Sequence, residues 1–237
     1  MRTTPIIALD FANKKEVIQF LTKFDDEKLF LKIGMELFYQ EGPEMVYNLK
    51  EKGHDIFLDL KLYDIPNTVK SAMKGLARLG CDLVTVHAAG GKEMMEAALD
   101  GLTAGTESGR KRAACVAVTQ LTSTSEEQMK SEQLIQVSLE ESVLHYASLA
   151  KSAHLDGVVC STHEARSIRR LLGADFLTVS PGIRLNTDEA QDQKRVATPQ
   201  FAKSEGVSAI VVGRPITRST TPFEAYLQFK EAWGINR

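Results

Sequence analysis

The stretch Phe57-Leu-Asp-Leu-Lys-Leu-Tyr-Asp-Ile-Pro-Asn-Thr68 opens as a strand and closes as the start of a helix. In an extended chain Leu58, Leu60 and Leu62 fall on one side, and Asp59 and Lys61 on the other. Pro66 suits the first turn of a helix, where a missing N–H costs nothing. The unit is thus a β-then-α element whose strand ends in an ion pair. An ammonium facing the interior needs a carboxylate, because burying it unpaired costs several kcal/mol. Asp59 supplies one, and Asp64, just past the strand, can supply a second.

Working outward, short apolar runs recur at 6–9, 29–33, 56–60, 83–87, 113–119, 157–160, 176–179 and 209–212. Most are bounded by Gly, Asp or Pro, as expected of strands buried on both faces. Helix-length segments lie between them, for example 66–79, 92–102, 138–152, 162–172 and 222–233. Thr162 and Asn13 offer N-cap positions, and Glu16, three residues after Asn13, completes a capping box.

Eight such units can close as a barrel or lie open as a doubly wound sheet. The polar residues decide. Asp10, Lys32, Asp59, His87, Thr119, Ser161, Ser180 and Gly213-Arg214 each sit at or just after the C-terminal end of a run. In a barrel those ends converge on one mouth; in an open sheet they would be strung along an edge. The expected fold class is therefore α/β, a (β/α)8 TIM barrel. No linker or composition shift divides residues 1–237, so one domain is expected.

Composition excludes several classes of function. A net charge of −2, with a quarter of the residues charged, gives no field that would gather nucleic acid. Arg110-Lys111-Arg112 reads as a solvated entry to the fifth strand. Cys81, Cys115 and Cys160 form no CxxC pair or Cys/His cluster, which argues against a disulfide framework and a zinc site. No apolar run approaches the ~20 residues that span a bilayer. The chain also runs from Met1 into a strand with no cleavable apolar segment, so a reducing cytoplasm is the expected location.

The charges around Lys61 select a chemistry. Imine formation requires a neutral amine, which desolvation or adjacent cations promote. Flanking carboxylates do the reverse, each attracting the ammonium by about 4 kcal/mol at about 4 Å and an effective dielectric of about 20, before screening. A lysine held charged suits proton donation and stabilisation of a developing carbanion. Gly213-Arg214 after the last strand reads as a phosphate site, glycine admitting a backbone N–H and arginine offering a planar fork. The long polar stretch 182–199, with Arg184, Asp188 and Gln193, reads as a lid over it. His87 could line the mouth or be a core histidine, and His145, His154 and His163 lack metal-ligand spacing.

The 59–68 run resembles the signature of the orotidine 5'-monophosphate decarboxylase family in its bacterial form. So do Ile-Ala-Leu-Asp10, Leu-Lys32-Ile-Gly, Val-Thr-Val-His-Ala, Thr119-Gln-Leu-Thr-Ser123, Val179-Ser-Pro-Gly-Ile-Arg184 and Val212-Gly-Arg214-Pro, in the family's order. The resemblance implies a decarboxylase acting on a pyrimidine nucleotide without cofactor or metal. It makes Lys61, Asp59, Asp64 and Lys32 the catalytic residues, with Lys61 protonating C6 of the ring after carbon dioxide leaves and Asp59 lying against the substrate carboxylate. Asp10 and Lys32 are implied at the ribose, Thr122 at the pyrimidine, and Gln193, Gly213, Arg214 and Arg184 toward the phosphate. Pro66 and Asn67 join the substrate contacts. Asp64, Ile65 and Thr68 are implied to reach the neighbouring site of a homodimer.

Two rival readings remain. A magnesium-dependent sugar-phosphate decarboxylase or aldolase of the same barrel group would need a second oxygen ligand beside Asp59. Lys32 stands at that strand end and repels a dication, although Glu36 follows four residues later. A non-catalytic phosphosugar-binding barrel would have no need of a costly charge array.

Overall fold

The computed structural model describes residues 4–185 and 196–235. Eight parallel strands, β1 (Ile6–Ala8), β2 (Phe30–Gly34), β3 (Asp55–Leu62), β4 (Leu83–His87), β5 (Ala114–Val118), β6 (Gly157–Val159), β7 (Leu177–Ser180) and β8 (Ala209–Val212), pair in chain order. β8 returns to β1, with Ile6 opposite Val211, so the sheet closes as the expected barrel.

Around it run α1 (Lys14–Leu21), α2 (Met35–Glu41), α3 (Pro43–Glu51), α4 (Pro66–Ala77), α5 (Gly91–Gly105), α6 (Glu126–Glu132), α7 (Leu139–Ser152), α8 (Thr162–Leu172), α9 (Pro199–Ser204), α10 (Arg214–Thr217) and α11 (Pro222–Ala232). Proline opens α3, α4, α9 and α11, where its fixed φ is already helical.

Two expected caps are corrected. Ser161, not Thr162, is the N-cap of α8, and its reciprocal partner is Glu164. At α1, Asn13 does accept from the Glu16 backbone, but Glu16 answers through the Asn13 side-chain amide rather than its backbone N–H.

The strands divide the apolar residues by parity. Ile6, Ala8, Phe30, Phe57, Leu83, Val116, Val179, Ala209 and Val211 fill the barrel interior. Their alternates, such as Ile7, Leu31, Leu58, Val84, Val158 and Ile210, pack outward in the larger cluster between barrel and helices. The interior is thus a packed plug below the mouth.

One helix pair is seated unusually closely. A side chain at Gly101 of α5 would run into the Lys70 carbonyl of α4, and one at Gly105 into that of Lys74. Glycine on α5 lets the two backbones touch, which fixes the helix that follows the 59–68 run.

Candidate active site

The parity that fills the interior also sets what crowns it. Two residues beyond Phe30 on β2 is Lys32, two beyond Phe57 on β3 is Asp59, two beyond Ala8 is Asp10, and two beyond Val211 is Gly213. All four line one cavity of about 290 Å³ at the C-terminal mouth, together with Lys61, Thr122, Arg184 and Arg214.

The charges there form an alternating chain. Lys32 Nζ lies 3.3 Å from Asp10 Oδ1 and 3.7 Å from Asp59 Oδ2. Lys61 Nζ lies 2.9 Å from the same Asp59 oxygen. Asp59 is therefore shared by two ammoniums, and only 8% of its surface is exposed. Gly34 leaves room for this arrangement, since a Cβ there would stand 3.2 Å from Lys32 Nζ. At Gly213 a Cβ would come within 3.3 Å of Asp10 Oδ2.

Asp59 and Lys61 face the same side as expected, but not on a regular strand. Leu58 pairs with Val84 and Leu62 with Val86, so Asp59, Leu60 and Lys61 together stand opposite Thr85 alone. The bulge gives Lys61 a φ of 51°, in the left-handed region, at a cost of about 1–2 kcal/mol for a residue with a Cβ. Thr85 holds it there: its hydroxyl accepts from Lys61 N–H at 2.9 Å and donates to Asp59 Oδ1 at 3.0 Å. Strand alternation gave no hint of Thr85. The only signal available was a hydroxyl in the middle of an apolar strand next to the 59–68 run.

Val118, Val159 and Val179 of β5, β6 and β7 give the cavity an apolar stretch of wall. Gln120, another residue sequence reasoning missed, donates through Nε2 to Gln133 and to Ser142 of α7, each at 3.1 Å. That ties the loop carrying Thr122 to the helix layer. Arg184 is buried and its Nη1 donates to the Ile183 carbonyl at 2.9 Å. The base of the long stretch after β7 is joined by a bridge between Ile183 and Ala197. Asp188 and Gln193, and the lid expected around them, lie outside the described residues.

Other expected residues do not enter this cavity. Asp64 does not join Lys61 within the chain; it is exposed and accepts from the N–H of Ile65. Its exclusion has a plain cause: the chain has already turned outward into α4. Ile65 is 67% exposed, Asn67 and Thr68 are exposed, and Pro66 is half-buried.

At the ends of β4 to β7 the named polar groups have other partners or none. Thr119 donates to the Val159 carbonyl, Ser161 caps α8, and the buried Ser180 hydroxyl makes no hydrogen bond. His87 packs its ring against Tyr63 at 5.8 Å, and burial, then the Lys61 charge, lower its pKa against the opposing pull of Asp59. Glu36 is exposed and does not line the cavity. No group of three or more metal-ligating side chains occurs among the described residues.

This geometry has close relatives. A model of the orotidine 5'-phosphate decarboxylase / HUMPS family matches residues 3–229. Orotidine 5'-phosphate decarboxylase of Lysinibacillus sphaericus is 63% identical over 233 residues, 98% of this chain and 99% of that protein. That of Bacillus cytotoxicus is 59% identical over 233 residues, covering 98% of each chain. The crystal structure of orotidine 5'-phosphate decarboxylase from Lactobacillus acidophilus superposes with a TM-score of 0.89 at 43% identity, over 98% of this chain and 100% of that one.

Proposed function

The chain belongs to the orotidine 5'-phosphate decarboxylase / HUMPS family, and from that membership we propose that Lys61 is the proton donor of its reaction. The reaction is the decarboxylation of orotidine 5'-phosphate to uridine 5'-phosphate and carbon dioxide in pyrimidine biosynthesis. The observation that carries the proposal is the Asp10–Lys32–Asp59–Lys61 chain at the mouth of the barrel.

When the bond from C6 to the carboxylate breaks, its electron pair stays on C6. The Lys61 ammonium stabilises that charge as it develops, then passes a proton from Nζ to C6 and is left as an amine that solvent reprotonates. Asp59 lies against the departing carboxylate and keeps Lys61 aimed. Asp10 and Lys32 take the ribose hydroxyls, Thr122 the pyrimidine, and Gly213, Arg214, Arg184 and Gln193 the phosphate side. Binding energy from these remote groups orders the reacting end.

Loss of ultraviolet absorbance as orotidine 5'-phosphate is consumed tests the assignment. Lys61→Ala is expected to lower kcat by several orders of magnitude while the protein stays folded. Near-normal turnover would remove Lys61 from the role.

The active unit in this reading is a homodimer. Asp64, Ile65 and Thr68 lie outside their own cavity, and Tyr63 and Ile65 beside them expose apolar surface, 63% and 67%. Met35 and Tyr39 of α2 are exposed as well. A second copy covers this face and receives Asp64 next to its own Lys61. Mixing Lys61→Ala with Asp64→Ala subunits under exchange then rebuilds one intact site per heterodimer, restoring about a quarter of wild-type activity. Mixtures no more active than their parents would put Asp64 back in its own chain. A reducing cytoplasm suits Cys81, Cys115 and Cys160, all buried free thiols, with burial pushing Cys81 up to about 12.

A further inference from the structure

We infer that Thr85 is a positioning residue for this decarboxylation: one buried hydroxyl holds both the proton donor and its carboxylate partner in register. The inference rests on the reading of Lys61 as that donor.

Three observations lead to it. β3 carries three residues, Asp59, Leu60 and Lys61, against the single Thr85 of β4, so this part of the ladder has lost its regular partners. Lys61 stands at φ 51° there, a backbone state it would not hold unassisted. The Thr85 hydroxyl uses its acceptor side for Lys61 N–H at 2.9 Å and its donor side for Asp59 Oδ1 at 3.0 Å.

Thr85 is 1% exposed and does not line the cavity, so it acts only through those two residues. Asp59 Oδ2 is thereby left to the two ammoniums. One hydroxyl fixes the Asp59 carboxylate from one side and the Lys61 backbone from the other. The distance from Lys61 Nζ to the reacting carbon depends on both. Proton transfer is steep in such distances, whereas nucleotide binding depends mainly on the groups assigned to the ribose and the phosphate.

Thr85→Val keeps the shape and removes the hydroxyl, while Thr85→Ser keeps the hydroxyl and removes a methyl. Thr85→Val is expected to lower kcat by about ten- to a hundredfold with KM within about twofold of wild type. Thr85→Ser is expected to stay within about threefold of wild type in both. Should the valine protein not fold, Thr85→Ala takes its place with the same expectation.

A hydroxyl-free variant with wild-type kcat, or a serine variant as slow as it, would overturn the inference. So would a loss confined to KM. Lys61→Ala assayed alongside keeps the two readings apart. If it collapses turnover while Thr85→Val does not, only Thr85 loses its role; if both turn over normally, the donor assignment itself fails.

Discussion

The two rims of this barrel use the same residue types for different ends. At the N-terminal rim, Asp82 precedes β4 and accepts from Ile56 N–H of β3 and from Lys50 Nζ, both at 2.7 Å. Two units on, Asp156 precedes β6 and accepts from Cys115 N–H of β5 at 2.7 Å, while Arg112 grips it with two bonds of 2.8 and 3.0 Å. At β7 and β8 the neutral Ser208 takes the Asp position and accepts from Thr178 N–H.

Each carboxylate there staples the start of a strand, its charge spent on a backbone donor and one cation. At the C-terminal rim Asp59 receives no backbone N–H among the described residues; its partners are the Thr85 hydroxyl and two ammoniums. A carboxylate tied to backbone holds the fold together. One tied to side-chain ammoniums beside a cavity instead fixes those charges where a ligand meets them. The difference is where the oxygens go, not which residue bears them.

Opposite mutational signatures at the two rims would break or uphold this contrast. The largest effect is expected from Lys61→Ala, whose loss of turnover should come with a melting temperature close to wild type, since the change removes a strained residue's charge and little packing. A large fall in melting temperature would make Lys61 a structural residue. Asp156→Ala is the mirror case. It strips three charge-assisted bonds, leaving Arg112 only its bond to the Ala113 carbonyl and the Cys115 N–H unanswered, a cost of about 2–3 kcal/mol, or roughly 5–10 °C in a chain of this size. Its kcat per folded molecule should not change. A fall in kcat with stability intact would mean that the lower rim reaches the chemistry.

Arg214→Ala probes the far side of the mouth. If Arg214 takes the phosphate, KM for orotidine 5'-phosphate should rise about tenfold or more with kcat nearly kept. An unchanged KM would move the phosphate to other donors.

Much of this was legible from the sequence because barrel geometry is periodic. The C-terminal ends of eight apolar runs converge when the sheet closes, and that placed Asp10, Lys32 and Asp59 at the mouth; the parity that sorts interior from helix-facing residues was read only along 58–62. Where periodicity stops, so did the reading. The bulge that sets Lys61 at a positive φ depends on the register with β4, and no pattern within β3 encodes it. Thr85 looked like one more strand residue for that reason. Asp64 is near Lys61 in sequence, but the turn into α4 carries it outward, which spacing alone could not foresee. Thr119, Ser161 and Ser180 sat at strand ends yet went to a carbonyl, a helix cap and an unpartnered buried site, because a polar residue there can serve the fold as readily as the cavity.

His87 gives the smallest and finest test, since it stands at the charged rim without an ion pair of its own. Burial is the main cause of its lowered pKa, with the Lys61 charge adding to it and Asp59 opposing. A histidine that takes up its proton less readily when folded stabilises the protein above its unfolded pKa of about 6.5, and that contribution is lost as pH falls toward the folded value. The melting temperature should therefore fall as pH drops below about 6.5, and His87→Gln, which cannot titrate, should remove part of that fall. Lys61→Ala should flatten the same slope by a smaller amount, because it deletes the charge but not the burial. Parallel slopes in wild type and His87→Gln would show that the imidazole does not feel this rim, and that the Lys61 charge has no measurable effect on it.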